Sequence, residues 1–393
     1  GKTTTAEQIA GSILYMQEPE TRQQNMEMAE IHPSRLLKGE TPRLIDEWQL
    51  APKLWDAVRF EVDKRDAFNQ FILTGSAVPP DVSQISHTGT GRITRMKMRP
   101  MSLFESGDSS GEISLREIFA GKQDIEGECE KDIDELAFLI CRGGWPKAVS
   151  CERDIALQQA EDYFDAVVHA DISNVDAVER DVERTKTLMR SYARFIGTQA
   201  KIPTILEDMK ANDLDTISDV TVHSYISALK KIFVIEDSPA WNPNLRSKTA
   251  IRTSDTRYYT DQSIGAAALG IGPNDLVDDL ETMGLFFENM CIRDLRVYAD
   301  ALEGTVYHYR DRRGLECDAV IHLRDGSYGL VEIKLGGERL IEEGAETLKK
   351  LTDSIDTSRM KAPSFQMVLT GTGNYAYKRK DGILLVPVCC LKD

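Results

Sequence analysis

Arg43-Leu44-Ile45-Asp46-Glu47 and Phe71-Ile72-Leu73-Thr74-Gly75-Ser76 decide the fold of the first hundred residues. Each is an unbroken apolar run that ends in polar residues: Asp46 and Glu47 in one, Thr74 and Ser76 in the other. A run that is apolar on every residue leaves no solvent face, so both read as strands covered on two sides. Between them Pro52 suits a first helical turn, and Leu54, Trp55, Val58 and Val62 recur at helical spacing. Strand, helix, strand in that order predicts a parallel sheet flanked by helices.

Working back from these strands, Ile13 to Met16 fits another short strand. Before it, Ala6, Ile9 and Ala10 have helical spacing, with Gly11 as the stop. The chain opens with Gly1-Lys2-Thr3-Thr4-Thr5, the second half of the phosphate-binding pattern G-x-x-x-x-G-K-[ST]. In that pattern backbone amides surround phosphates, Lys reaches the outer ones, and the hydroxyl binds Mg²⁺. The glycine-rich first half and its strand are expected but are not in the sequence, so the reading is of a chain that has lost them. ATP and Mg²⁺ are the cofactors this implies. Gly1, Lys2, Thr3 and Thr4 are the phosphate-side candidates, with Thr3 and Asp46 for the metal and Glu47 to polarise water. Thr74 and Ser76 would sense the outer phosphate. Alone, Asp46-Glu47 also fits a strand exit into solvent; the preceding Gly-Lys-Thr favours the nucleotide site.

Four ordered segments together resemble an AAA+-type P-loop ATPase. They are Gly1–Ala6, Leu44–Gln49, Phe71–Ser76 and the Gly91-Arg92 to Glu105 stretch, the last with Pro100-Met101-Ser102-Leu103. The subgroup resembled comprises bacterial and archaeal proteins with a C-terminal domain of unknown function, and the resemblance covers about residues 1–106. It implies that Arg92 is an arginine finger or phosphate sensor; an Arg capping a sheet edge is the alternative. Arg92 to Arg99 alternates Thr94, Met96 and Met98 against Arg95, Lys97 and Arg99, which predicts a strand. Its basic face fits either solvent or a DNA track.

Glu105 to Glu130 is rich in Ser, Gly and acids and is read as a boundary. Residues 131–245 are predicted as a helical, winged-helix-like domain. Val222, Tyr225, Ile226, Leu229, Ile232 and Phe233 share one helical face, capped by Ser218 or Asp219. A helix around Ile205 to Met209 precedes it, and Val234-Ile235-Glu236 with Trp241 would form the wing. Such a unit binds DNA or packs domains together. Arg142-Gly143-Gly144-Trp145-Pro146 resembles a turn of the same subgroup.

Residues 276–393 are predicted as a third, α/β domain, with a helix from Leu276 toward Leu295 and strands at 305–309, 317–323, 328–333, 366–369 and 383–388. Glu332 and Lys334, two apart, share a strand face, and an Arg324-Asp325-Gly326 turn brings Asp318 to the neighbouring strand. Glu316 to Ile321 with Leu330 to Lys334 resembles the PD-(D/E)XK restriction-endonuclease-like core. That resemblance implies Asp318, Glu332 and the helix acid Glu288 as metal ligands and Lys334 as the catalytic residue that stabilises charge or orients water. A fold that keeps these acids without cutting is equally open.

The net charge of −16 disfavours general coating of DNA but leaves room for basic patches, such as Arg246, Lys248, Arg252 and Arg257. The seven cysteines form no C-x-x-C pair, and reduced thiols in a cytoplasmic protein are expected. No membrane span is expected. Partners beyond ATP are DNA or another protein, and an oligomer is compatible. The leading reading is Mg²⁺-dependent ATP hydrolysis that drives a conformational change. The alternatives are a metal-dependent DNA nuclease and a non-catalytic adaptor.

Overall fold

A computed structural model describes residues 1–76, 90–174, 178–211, 217–242, 254–358 and 360–393. The chain divides into two compact units. One comprises Gly1–Met98 with His169–Arg180 and Ser227–Phe233; the other is the rest.

The first unit is built on three parallel strands: β1 (Ser12–Tyr15), β2 (Arg43–Asp46) and β3 (Phe71–Thr74), in that order. The central strand is the buried one, with Leu44 and Ile45 fully covered. Phe71, Ile72 and Leu73 are only half-buried because β3 is an edge. The helix Lys53–Arg65 lays Leu54 and Val58 against Ile45, Met16 and Leu37 on one face of the sheet. Register places Tyr15, Asp46 and Thr74 side by side at the carboxyl ends. The opening helix is short, Lys2–Glu7, so it stops before Gly11, and Ile9 is exposed.

Residues 92–99 form no strand, contrary to the alternation. Their side chains are committed elsewhere: the Arg92 Nε lies 2.7 Å from Asp63, and Arg95 covers the Trp55 ring.

The second unit contains a seven-stranded mixed sheet. Its strands, in chain order, are β5 (Gly127–Glu128), β6 (Gly304–Arg310), β7 (Glu316–Leu323), β8 (Tyr328–Lys334), β9 (Phe365–Thr370), β10 (Tyr375–Lys378) and β11 (Leu384–Pro387). Spatially the order is β5-β10-β11-β9-β8-β7-β6. The strands β8, β9 and β11 run parallel, while the hairpins at both sides are antiparallel. The β7–β8 turn is closed by Asp325, which accepts from Ser327 N at 2.8 Å, with Gly326 at φ 82°. The helices Leu280–Ala301 and Glu338–Ser354 cover the sheet. A separate two-stranded pair joins β4 (Ile113–Ser114) to β12 (Leu391–Lys392). The Ser- and Gly-rich stretch read as a boundary thus supplies strands to both sheets.

The middle of the chain is helical, with helices at Ile133–Arg142, Arg153–Ala166, Val182–Arg194, Ile202–Ala211 and Asp219–Lys231. Ser218 Oγ accepts from Thr221 N at 3.2 Å and so caps the last of these. The expected wing differs. Ile235 and Ser238 bridge to Tyr259 and Thr256, while Trp241 is buried against Tyr328. Arg246, Lys248 and Arg252 lie outside the described residues; Arg257 is paired with Asp237.

Two cysteines depart from the reduced reading. Cys129 and Cys389 are joined by a disulfide across 260 positions, because β5 and the C-terminal segment meet at one sheet edge. Cys141, Cys151, Cys291, Cys317 and Cys390 are free thiols. Among the described residues no helix is long and apolar enough to cross a membrane.

Candidate functional site

At the carboxyl ends of β1 to β3 the Asp46 carboxylate is buried, which demands compensation. It receives two hydroxyl donors on one oxygen: Thr3 at 2.8 Å, from the helix that Gly1 opens, and Thr74 at 2.6 Å, from β3. The structure therefore brings Thr3, Asp46 and Thr74 into one cluster. Lys2 and Thr4 flank Thr3 in the first turn, Lys2 half-buried and Thr4 exposed.

Immediately after β2 the backbone turns. Glu47 sits at φ 56°, ψ 43°, a left-handed conformation that costs a non-glycine residue on the order of 1–3 kcal/mol. Its carboxylate Oε2 accepts from Ser76 Oγ at 3.1 Å and from Gln49 Nε2. Glu47 and Ser76 thus meet. Gln49 was quoted in the sequence without a role, although its two-residue spacing from Glu47 was the available signal. Arg92 is not among the partners of Thr3, Asp46 or Glu47; it is ion-paired with Asp63 of the helix Lys53–Arg65.

The second cluster lies in the seven-stranded sheet. Lys334 Nζ stands between two acids, 3.1 Å from Asp318 and 2.8 Å from Glu332. Asp318 also accepts from Ile333 N at 2.8 Å. Glu332 is nearly fully buried, and its Oε1 has no hydrogen-bond partner. Burial, reinforced by the Asp318 charge, pushes Glu332 up to about 8. Burial and Asp318 likewise push Glu288 up to about 8, against the opposing hydrogen bond from Tyr258. Burial works against the Lys334 charge, but Asp318 and Glu332 outweigh it and hold Lys334 above its ordinary range.

Glu288 comes from the helix Leu280–Ala301 and accepts from the Tyr258 hydroxyl. Tyr258 lies in a stretch with no periodicity and was not read as part of any site. Among the described residues no three His, Cys, Asp or Glu side chains are arranged to hold a metal ion. Glu288, Asp318 and Glu332 are instead organised around a lysine and a tyrosine.

Residues 1–106 match the AAA domain family. Residues 133–275 match a Domain of unknown function (DUF8612), and residues 283–391 another (DUF4143). Curated relatives include uncharacterized proteins of Mycobacterium bovis and Mycobacterium tuberculosis. Each is 22% identical over 293 residues, which is 74% of this chain and 58% of the relative. The chain thus spans 58% of the length of these relatives. By these matches the N-terminal part is similar to ATPase-type, nucleotide-binding AAA domains, and the C-terminal part to a domain whose function is unknown.

Proposed function

We propose that the first unit serves Mg²⁺-dependent ATP hydrolysis coupled to a conformational change. The observation that carries this is the Thr3–Asp46–Thr74 cluster at the carboxyl edge of a parallel sheet. Its donor set, a hydroxyl and a carboxylate, is hard oxygen, which suits an ion that takes one or two protein oxygens beside phosphate and water. Thr3 and Asp46 would hold Mg²⁺, which when bound neutralises charge on the phosphates. Lys2 contributes a cation toward the outer phosphates. Glu47 would accept a proton from water, and Thr74 and Ser76 would sense an outer phosphate. Gly1 and Thr4 would also contact the phosphates.

Calorimetric titration with Mg-ATP tests this, on the chain and on the chain with a strand and glycine-rich loop joined ahead of Gly1. Tighter binding in the extended form, lost in Lys2→Ala, is the expected result. Equal absence of binding in both rejects the reading.

A metal-dependent nuclease is the second reading, favoured by the unpartnered Glu332 Oε1 beside Asp318 and Lys334. Here Lys334 would position water or stabilise charge. Metal-dependent cleavage of branched or single-stranded DNA, abolished in Lys334→Ala, supports it. A metal-induced rise in melting temperature without cleavage favours a non-cutting adaptor.

A further inference from the structure

We propose that Gln49 is a positioning residue for Glu47, holding one carboxylate oxygen so that the other faces water; this rests on the ATPase reading. Three observations converge. Glu47 Oε2 takes two donors, Gln49 Nε2 and Ser76 Oγ, and these two are themselves 3.4 Å apart. One oxygen is thus saturated, and a carboxylate anchored this way cannot swing about its terminal torsion.

The second observation is the orientation of the Gln49 amide. Its NH₂ faces the carboxylate; the reverse would set two acceptors together. Its Oε1 is then left buried without a hydrogen-bond partner. A glutamine that gives up one amide hydrogen-bonding atom to orient a neighbouring acid is placed for that acid and not for its own solvation.

The third observation is the floor under it. A Cβ on Gly75 would lie 2.5 Å from Gln49 Oε1 and 3.3 Å from Trp48 Nε1. The Gly75 backbone is not in the left-handed region, so space rather than conformation requires glycine here. Thr74-Gly75-Ser76 therefore does three jobs in three residues: Thr74 holds Asp46, Gly75 leaves room for Gln49, and Ser76 joins Gln49 on Glu47.

The test has arms with and without nucleotide. Without nucleotide, Gln49→Ala lowers the melting temperature of the chain, and the shift disappears in a Glu47→Ala background, since the contact is then already gone. Equal shifts in both backgrounds overturn the proposal. With Mg-ATP, Gln49→Ala lowers kcat about tenfold while KM and the Kd for Mg-ATP stay at the parent values.

Gly75→Ala, which displaces the glutamine without touching either acid, reproduces that split. Affinity for Mg-ADP with aluminium fluoride falls by the same factor in both variants, and affinity for Mg-ADP alone does not. Unchanged kcat in Gln49→Ala, or a loss confined to KM, overturns the positioning role and leaves the ATPase reading standing. A parent that binds no Mg-ATP in any form overturns the ATPase reading itself.

Discussion

An acid that takes a proton from water must be charged and correctly aimed before the attack begins. In the ATPase reading proposed above, the left-handed backbone and the anchors of Glu47 would supply the second condition. Replacing it with Gln keeps the shape and removes the base. Glu47→Gln is therefore expected to bind Mg-ATP at the parent Kd and to lose turnover by about 10²–10⁴-fold, measured as phosphate release. Parent-like hydrolysis by this variant contradicts the role. Much of this site was legible in the sequence. Gly1-Lys2-Thr3 and Asp46 are separated by a spacing that a parallel sheet closes, and the Thr3–Asp46 hydrogen bond closes it. Gln49 was not legible, because a polar residue after a strand has many uses. Only the side-chain geometry around Gly75 distinguishes them.

Elements carry a different kind of constraint. A helix is expected from Leu276 toward Leu295, and near the centre of the observed one, Leu280–Ala301, Arg293 is almost completely buried. Its guanidinium meets Asp261 at 3.0 Å and Asp294 at 2.7 Å. Asp261 in turn accepts from Gly144 N at 2.9 Å, and Asp294 accepts from Leu103 N at 3.0 Å. One helix thus fastens two loops through a fully desolvated ion triad. Removing the cation leaves two buried anions, so Arg293→Met should destabilise by about 3–5 kcal/mol, read from urea unfolding. A change under about 1 kcal/mol would show that water or rearrangement replaces the triad. None of this was visible in sequence, since the partners come from segments far apart in the chain. The alternation at Arg92–Arg99 failed for the opposite reason. A period of two marks a strand only where a neighbouring strand offers hydrogen bonds, and residues 92–99 have none.

For the molecule as a whole, the acid–lysine cluster sets a pH dependence. Glu288 and Glu332 both have their pKa raised from 4.5 to about 8, so the folded chain holds protons that the unfolded chain has already released. The stability they contribute is fully present below about pH 4.5 and is lost as pH rises through about 8. The melting temperature should therefore fall between pH 5 and 9 by this contribution, and Glu332→Gln should flatten the slope. Mg²⁺ or Mn²⁺ offers a second test. If Asp318 and Glu332 bind a cation, it raises the melting temperature most at high pH, where protons no longer compensate the acids, and Asp318→Asn/Glu332→Gln abolishes the rise. An unaltered melting temperature removes the metal reading of this cluster. The Glu332–Lys334 pair was legible from the strand period, and Asp318 from the hairpin turn. Tyr258, which holds Glu288, was not, because it reaches the cluster from irregular chain.

The pairing of β5 with β10 and of β4 with β12 has a consequence for how the protein is made. Residues 113–128 leave the ribosome well before their partners at 375–392. At roughly 5–20 residues per second, the early strands wait on the order of tens of seconds. Through that interval β4 and β5, flanking Leu115, Ile118 and Ile125, which are buried in the finished fold, lack their partner strands. A chain stalled or cut a few residues before Leu391 would lack the partner of β4 and carry an open apolar seam there. Leu391 and Lys392 therefore act as the stitch that closes this seam, and quality control of chains cut before them should depend on them more than their number suggests.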